Sequence, residues 1–312
     1  LSEIGTHHQA MLLVAQEQLS RGNNARAVKL LRDVLSAAPN HAAAHALLAL
    51  ALVSQKRLHA AAYEATIAVG QDPELPAAHL ALGVVRMGQR RFRESEEHLR
   101  QAIALNPDGA VEHRMLAALF GQSGRRREAL AELQAALSAD PASADIQADL
   151  AEHYLEEGTL FSAMRYAQEA LRMAPSHVGA LVAMGGIRLR EGKVEEAREH
   201  AHWALRQAPN DPRVLTLLAA IKARSSFTLG LWWRYHAWMS RFADGQQVIV
   251  LLGAYVLYRV TDTSLTVMDA KQLSSLLELA WLGTCVYSWV GPTLFQRSIE
   301  KELQPVRLRP DF

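Results

Sequence analysis

Apolar residues recur three and four positions apart along most of this chain, in blocks of about a dozen residues separated by short polar breaks. The pattern predicts consecutive amphipathic helices joined by tight turns. Pro39, Pro73, Pro107, Pro141, Pro175 and Pro209 punctuate the blocks at a constant step of 34 residues. A fixed period of that size marks a repeat array.

With each proline set at repeat position 32, the other columns align without gaps. Position 8 reads Ala15, Ala49, Gly83, Ala117, Ala151, Gly185 and Ala219. Position 20 reads Ala27, Ala61, Ser95, Ala129, Ala163 and Ala197; position 27 reads Val34, Ala68, Ala102, Ala136, Ala170 and Ala204. Position 7 is large and apolar throughout: Val14, Leu48, Leu82, Leu116, Leu150, Met184 and Leu218. Small side chains in three columns let two antiparallel helices approach closely, and the large ones fill what remains. Gly22, Gly124, Gly158 and Gly192 at position 15 predict a left-handed turn that ends the first helix, and the proline stops the second.

These columns resemble the tetratricopeptide repeat. The resemblance covers residues 8–224, as six repeats and a seventh first helix over 212–224. It implies an all-α right-handed superhelix whose first (A) helices line a concave groove, with each repeat completing its neighbour's core. Position 4, where the family usually carries Trp, holds Met11, His45, His79, His113, Gln147, Leu181 and Leu215. The seventh helix is apolar for a terminal cap (Val214, Leu215, Leu217, Leu218, Ile221), so a cover for it is expected.

Composition changes after Arg224. Five of the six Trp lie beyond it. Residues 225–245 form an aromatic-rich segment with Trp232, Trp233 and Trp238 beside Arg234 and Arg241. It suits a lipid interface or a capping helix on the last repeat. Two apolar runs follow, at 245–258 and 279–295. We read residues 246–297 as a two-helix membrane hairpin with a loop at 261–272, and 298–312 as a basic tail. The first run is short of the roughly 20 residues that a spanning helix needs. Basic residues flank the hairpin outside its loop, placing the repeats and the C-terminus in the cytoplasm, with a bacterial inner membrane as the expected site. Arg259 and Glu278 fall at similar depth. They are expected to face each other, or Asp262 takes the place of Glu278, or both reach headgroups separately. No cleavable signal pattern is visible at Leu1. The tail resembles a membrane module found at the end of some bacterial tetratricopeptide-repeat proteins.

Net charge is +1, so no bulk basic field points to nucleic acid. A single Cys, Cys285, excludes an intrachain disulfide. No phosphate loop, nucleophile elbow or zinc motif occurs, so neither catalysis, a cofactor nor a metal is expected. The His column at position 4 reads as packing. Arg90, Arg91 and Arg93, and Arg125, Arg126 and Arg127, fall at successive turns. They read as solvated turns or as an edge for an acidic partner.

The resemblance implies that helix-A positions 2, 5, 9 and 12 face the groove. Ala46, Leu50, Leu80, Val84 and Met87 make an apolar stretch. Arg114 follows, then an acidic set of Asp145, Asp149, Glu152 and Glu156, and then Val182. The acidic set reads as a docking face for a basic segment or as a solvated helix face. The Lys and Asn of a repeat protein that grips acidic chaperone tails are missing from these positions. The function expected is a non-catalytic scaffold that holds a protein partner at the bilayer. Its alternatives are a permanent subunit among other membrane proteins, an anchor for a soluble enzyme, and a soluble protein dimerising through its C-terminal helices.

Overall fold

The structure, a computed structural model, describes residues 2–20, 22–225 and 244–267, with 272–273, 275–279, 281–283 and 285. The six expected hairpins are present. They are α1 (Ser2–Ser20) with α2 (Asn24–Ala37), α3 (Ala42–Ser54) with α4 (Leu58–Gln71), and α5 (Pro76–Gly88) with α6 (Phe92–Leu105). Then come α7 (Ala110–Gln122) with α8 (Arg126–Ala139), α9 (Ala144–Glu157) with α10 (Leu160–Met173), and α11 (Val178–Arg190) with α12 (Val194–Gln207). The helices α13 (Pro212–Ser225) and α14 (Asp244–Val267) follow. The chain divides into two compact units, Leu1–Glu157 and Gly158–Phe312. The division falls at the turn within repeat five.

Each helix ends for the reason its sequence gives. The residue before each repeat proline leaves the helical region, as at Ala38 (φ −133°), Asp72 (φ −143°) and Asn106 (φ −139°), because the proline ring crowds a helical predecessor. At position 15 the four glycines take φ between 76° and 86°, and Lys56 and Arg90 occupy the same column at φ 60°. A left-handed L-residue costs about 1–2 kcal/mol, part of which glycine gives back through its freer unfolded chain. Lys56→Gly and Arg90→Gly are each expected to stabilise the protein by about 0.5–1 kcal/mol, read as a raised urea midpoint.

The three small-residue columns are buried in every repeat. Ser95, the one hydroxyl among them, is satisfied by donating to the Gly83 carbonyl at 2.8 Å. Position 7 is buried from Leu48 onward, whereas Val14 is exposed. In unit 1, Leu99, Leu116, Leu119 and Phe120 form one core cluster with Leu80. In unit 2, α13 packs on its own stack, and residues 226–243 of the tail, the expected cover, lie outside the described residues. Val214, Leu217, Leu218 and Ile221 bury against Leu181, Ala197, Ala201, Ala204 and Leu205 of α11 and α12.

The tail departs from its expected layout. The loop placed at 261–272 begins later, because α14 continues to Val267. The hydroxyls of Thr261, Thr263 and Ser264 each donate to the carbonyl four residues back at 2.8 Å, keeping polar residues within the helix. No helix among the described residues is long and apolar enough to cross a membrane. Trp281 nonetheless stacks on Tyr258, with centroids 4.8 Å apart and planes 8° from parallel. The start of the second apolar run therefore touches α14 at this ring pair.

Candidate functional site

The A helices of repeats one to four, all in unit 1, line an open apolar cavity of about 570 Å³. Gln16, Leu19, Leu50, Ala77, Leu80 and Val111 line it from positions 2, 5, 9 and 12. Leu47, Ser54, Asn106, Gly109, Ala110 and Glu112 complete the wall. Ala46, expected in the groove, is wholly buried beneath it. Val84, Met87 and Val182 are half-buried. The first two pack beside the Leu80 cluster and Val182 packs on the core of unit 2.

Arg114 changes the acidic set. Its Nε donates to Asp149 at 2.6 Å and its Nη1 to Asp145 at 3.0 Å. Arg126 approaches Glu156 at 3.7 Å. Glu152 is exposed on the same helix. The face expected to offer its carboxylates to a basic segment is thus largely neutralised by neighbouring arginines. Among the turn arginines, Arg125 is likewise paired. Arg125 donates to Glu96 at 2.6 Å, chelates Glu128, and lies over the Phe120 ring at 4.1 Å. Hydrogen bonding to Arg125 holds the Glu96 and Glu128 carboxyls below their ordinary range.

The position-4 histidines do more than pack. His45 Nε2 lies 2.8 Å from the Pro39 carbonyl and its Nδ1 2.6 Å from Glu64. His113 repeats the arrangement with Pro107 at 3.0 Å and Glu132 at 2.6 Å. His79 bonds Pro73 at 3.0 Å, but its Nδ1 faces His98 Nδ1 at 3.3 Å. Gln147 makes a longer version with Pro141 at 3.5 Å. Each clamp ties the proline of one repeat to both helices of the next. The readable signal was a pairing of position 4 with position 23, nineteen residues on. In repeat six those positions hold Leu181 and His200, and His200 Nδ1 is buried without a hydrogen-bond partner.

Burial first, and His79 second, push the His98 imidazole below its ordinary value. Nearby, Glu97 and Glu94 act to raise it and Arg86 to lower it. The unfolded chain therefore takes up a proton that the folded site resists. This site contributes its full stability above the unfolded value of 6.5 and loses it as pH falls through that value towards the depressed folded one. His98→Glu would copy repeats two and four. Its urea midpoint, relative to wild type, is expected to rise progressively between pH 8 and pH 5.5.

Glu112 went unnoticed in the sequence. Its column, position 3, otherwise reads Ala10, Ala44, Ala78, Ile146, Ala180 and Val214, apolar throughout and fully or almost fully buried from Ala44 onward. A carboxylate there, 7% exposed, is out of character with every other repeat. It folds back over Gly109, where a Cβ would collide with its Oε2.

Tetratricopeptide-repeat family models match residues 12–76 and 114–178, and another matches 155–221. The chain is a tetratricopeptide-repeat protein. Solved structures repeat this fold. The Cut9–Hcn1 hetero-tetramer of the APC/C is similar at TM-score 0.57 and 18% identity, over 69% of this chain and 42% of that one. The chain thus spans less than half of that relative. A tetratricopeptide-repeat protein from Parabacteroides merdae gives TM-score 0.56 at 16% identity, over 69% and 84% of the two chains. Pseudomonas aeruginosa pilF gives 0.51 at 19%, over 70% and 99%. No curated protein matches the chain. Repeats of this family generally serve as protein–protein interaction scaffolds.

In the repeat protein's second unit, Arg259 Nη1 lies 3.8 Å from Asp262 Oδ2, while Glu278 is exposed. The interface residues Trp232, Trp233, Trp238, Arg234 and Arg241, and the tail 298–312, lie outside the described residues.

Proposed function

We propose that this protein is a non-catalytic scaffold that seats a polypeptide partner in the groove of its N-terminal unit and attaches it to a bilayer through its C-terminal apolar helices. The cavity over Leu50, Ala77 and Leu80 carries the first part. It is concave, apolar and built from rigid helices, so a partner segment gains burial at little ordering cost to the scaffold. The test is a photo-crosslinking side chain at Val111, an exposed residue on the cavity wall. A discrete protein adduct that disappears when Leu50→Trp fills the cavity is expected. A chain without adducts, or with adducts indifferent to Leu50→Trp, removes this reading.

Support for attachment comes from the tail. Leu252, Val256, Leu257 and Val260 of α14, and Leu276, Leu279 and Leu282 beyond it, are all more than half exposed. Exposed apolar side chains in this density are normally covered by lipid or protein. The proposed cover is the inner membrane of a bacterium, with the repeats on the cytoplasmic side. Alkaline carbonate extraction should leave the full chain in the membrane pellet; release into the supernatant would refute attachment. Stoichiometric co-purification through detergent and high salt would identify a permanent membrane subunit instead of a transient adaptor.

A further inference from the structure

We propose that the groove selects a partner segment carrying a Lys or Arg beside one or more aliphatic side chains, with the cation seated on Glu112. The proposal rests on the groove reading above and gives the occupant its chemistry.

Three observations meet at one place. Glu112 is the one ionisable residue among those lining the cavity; Gln16, Ser54 and Asn106 are neutral and the rest apolar. Glu112 is more than nine-tenths buried as a residue yet lines the cavity. Its Oε1 accepts Asn106 Nδ2–H at 3.2 Å, and no Lys, Arg or His among the described residues forms an ion pair with it.

Burying an ionised carboxylate without a countercharge is costly. Glu112 is the third residue of α7, where the helix N-terminus supplies about half an elementary charge. That offsets part of the cost and leaves a cation unsupplied. The acids farther along the groove differ, because Arg114 already holds Asp145 and Asp149. Gly109 keeps the place open, since any side chain there would displace the carboxylate. A Lys or Arg entering from a partner would complete the charge in a low-dielectric wall, while Leu47, Leu50 and Leu80 receive its aliphatic neighbours. An acidic segment would meet one uncompensated negative charge and no cation among the lining residues.

A random peptide library displayed on phage and panned against the full chain tests this, with Glu112→Gln and Leu50→Trp panned in parallel. Gln keeps the size of Glu and an oxygen for Asn106. The wild type should enrich peptides that pair Lys or Arg with Leu, Ile, Val or Met. Their synthetic forms should bind about 10- to 100-fold more weakly to Glu112→Gln. Replacing the peptide's basic residue by Met should cost as much on the wild-type chain, and little further on Glu112→Gln. The peptide-side change leaves the protein untouched, so the comparison holds even if Glu112→Gln folds poorly. Peptides sensitive to Leu50→Trp but without a basic residue, or unmoved by its replacement, would overturn the cation site and leave the groove standing. Failure to enrich any peptide sensitive to Leu50→Trp would remove both.

Discussion

Phe120→Ala is expected to destabilise the protein by about 3–5 kcal/mol, the range for deleting a fully buried ring. Phe120 is 2% exposed within the Leu80, Leu99, Leu116 and Leu119 cluster. Its ring also carries the Arg125 guanidinium, which binds Glu96 on α6 and Glu128 on α8. The variant therefore opens a cavity at the end of α7 and loosens the turn that joins α7 to α8. Repeat stacks are stabilised by nearest neighbours, so the loss should be local. Hydrogen exchange should accelerate most in repeats three and four. Uniform acceleration along the chain, or a loss below about 1 kcal/mol, would contradict the assigned packing.

The second large effect is a coupled pair. A Cβ on Gly83 would stand 2.7 Å from Leu99 Cγ and 2.9 Å from its Cδ2, and Leu99 is fully buried. Gly83→Ala is expected to cost about 1–3 kcal/mol by overpacking. Leu99→Ala is expected to cost about 2–5 kcal/mol by emptying its site. The two errors oppose each other, because the added methyl enters the space the leucine vacates. Urea unfolding of both single variants and the double should show the double costing less than the sum by about 1 kcal/mol or more. Strict additivity would mean that the helices separate instead of holding their spacing.

That spacing was readable before any coordinates, and the reason is mechanical. A column such as Ala27, Ala61, Ser95, Ala129, Ala163 and Ala197 repeats because each copy meets the same geometric demand. The left-handed turn was readable for the same reason, through its four glycines, although Lys56 and Arg90 obey it without advertising it. Side-chain pairing was less legible. The acidity of Asp145 and Asp149 is evident in the sequence, but its neutralisation by Arg114 depends on a side chain from the preceding repeat. The histidine clamps were half legible: position 4 stood out, while its partner lay nineteen residues away on the other helix. Glu112 is hidden in the sequence because its column is otherwise apolar and shows no shared polar feature. It is informative because it differs. In the tail, the first apolar run marked α14 but not its end, where hydroxyls bond back to carbonyls.

The clamps also bear on how such a chain is best cut and rejoined. The proline carbonyl and the imidazole that grips it belong to different 34-residue units as conventionally framed, so a cassette that ends after its proline severs the link. Cassettes spanning 39–72, 73–106 and 107–140 instead keep Pro39 with His45 and Glu64, Pro73 with His79 and His98, and Pro107 with His113 and Glu132. Shuffled or duplicated in that frame, each module would carry its own latch, proline carbonyl and imidazole together.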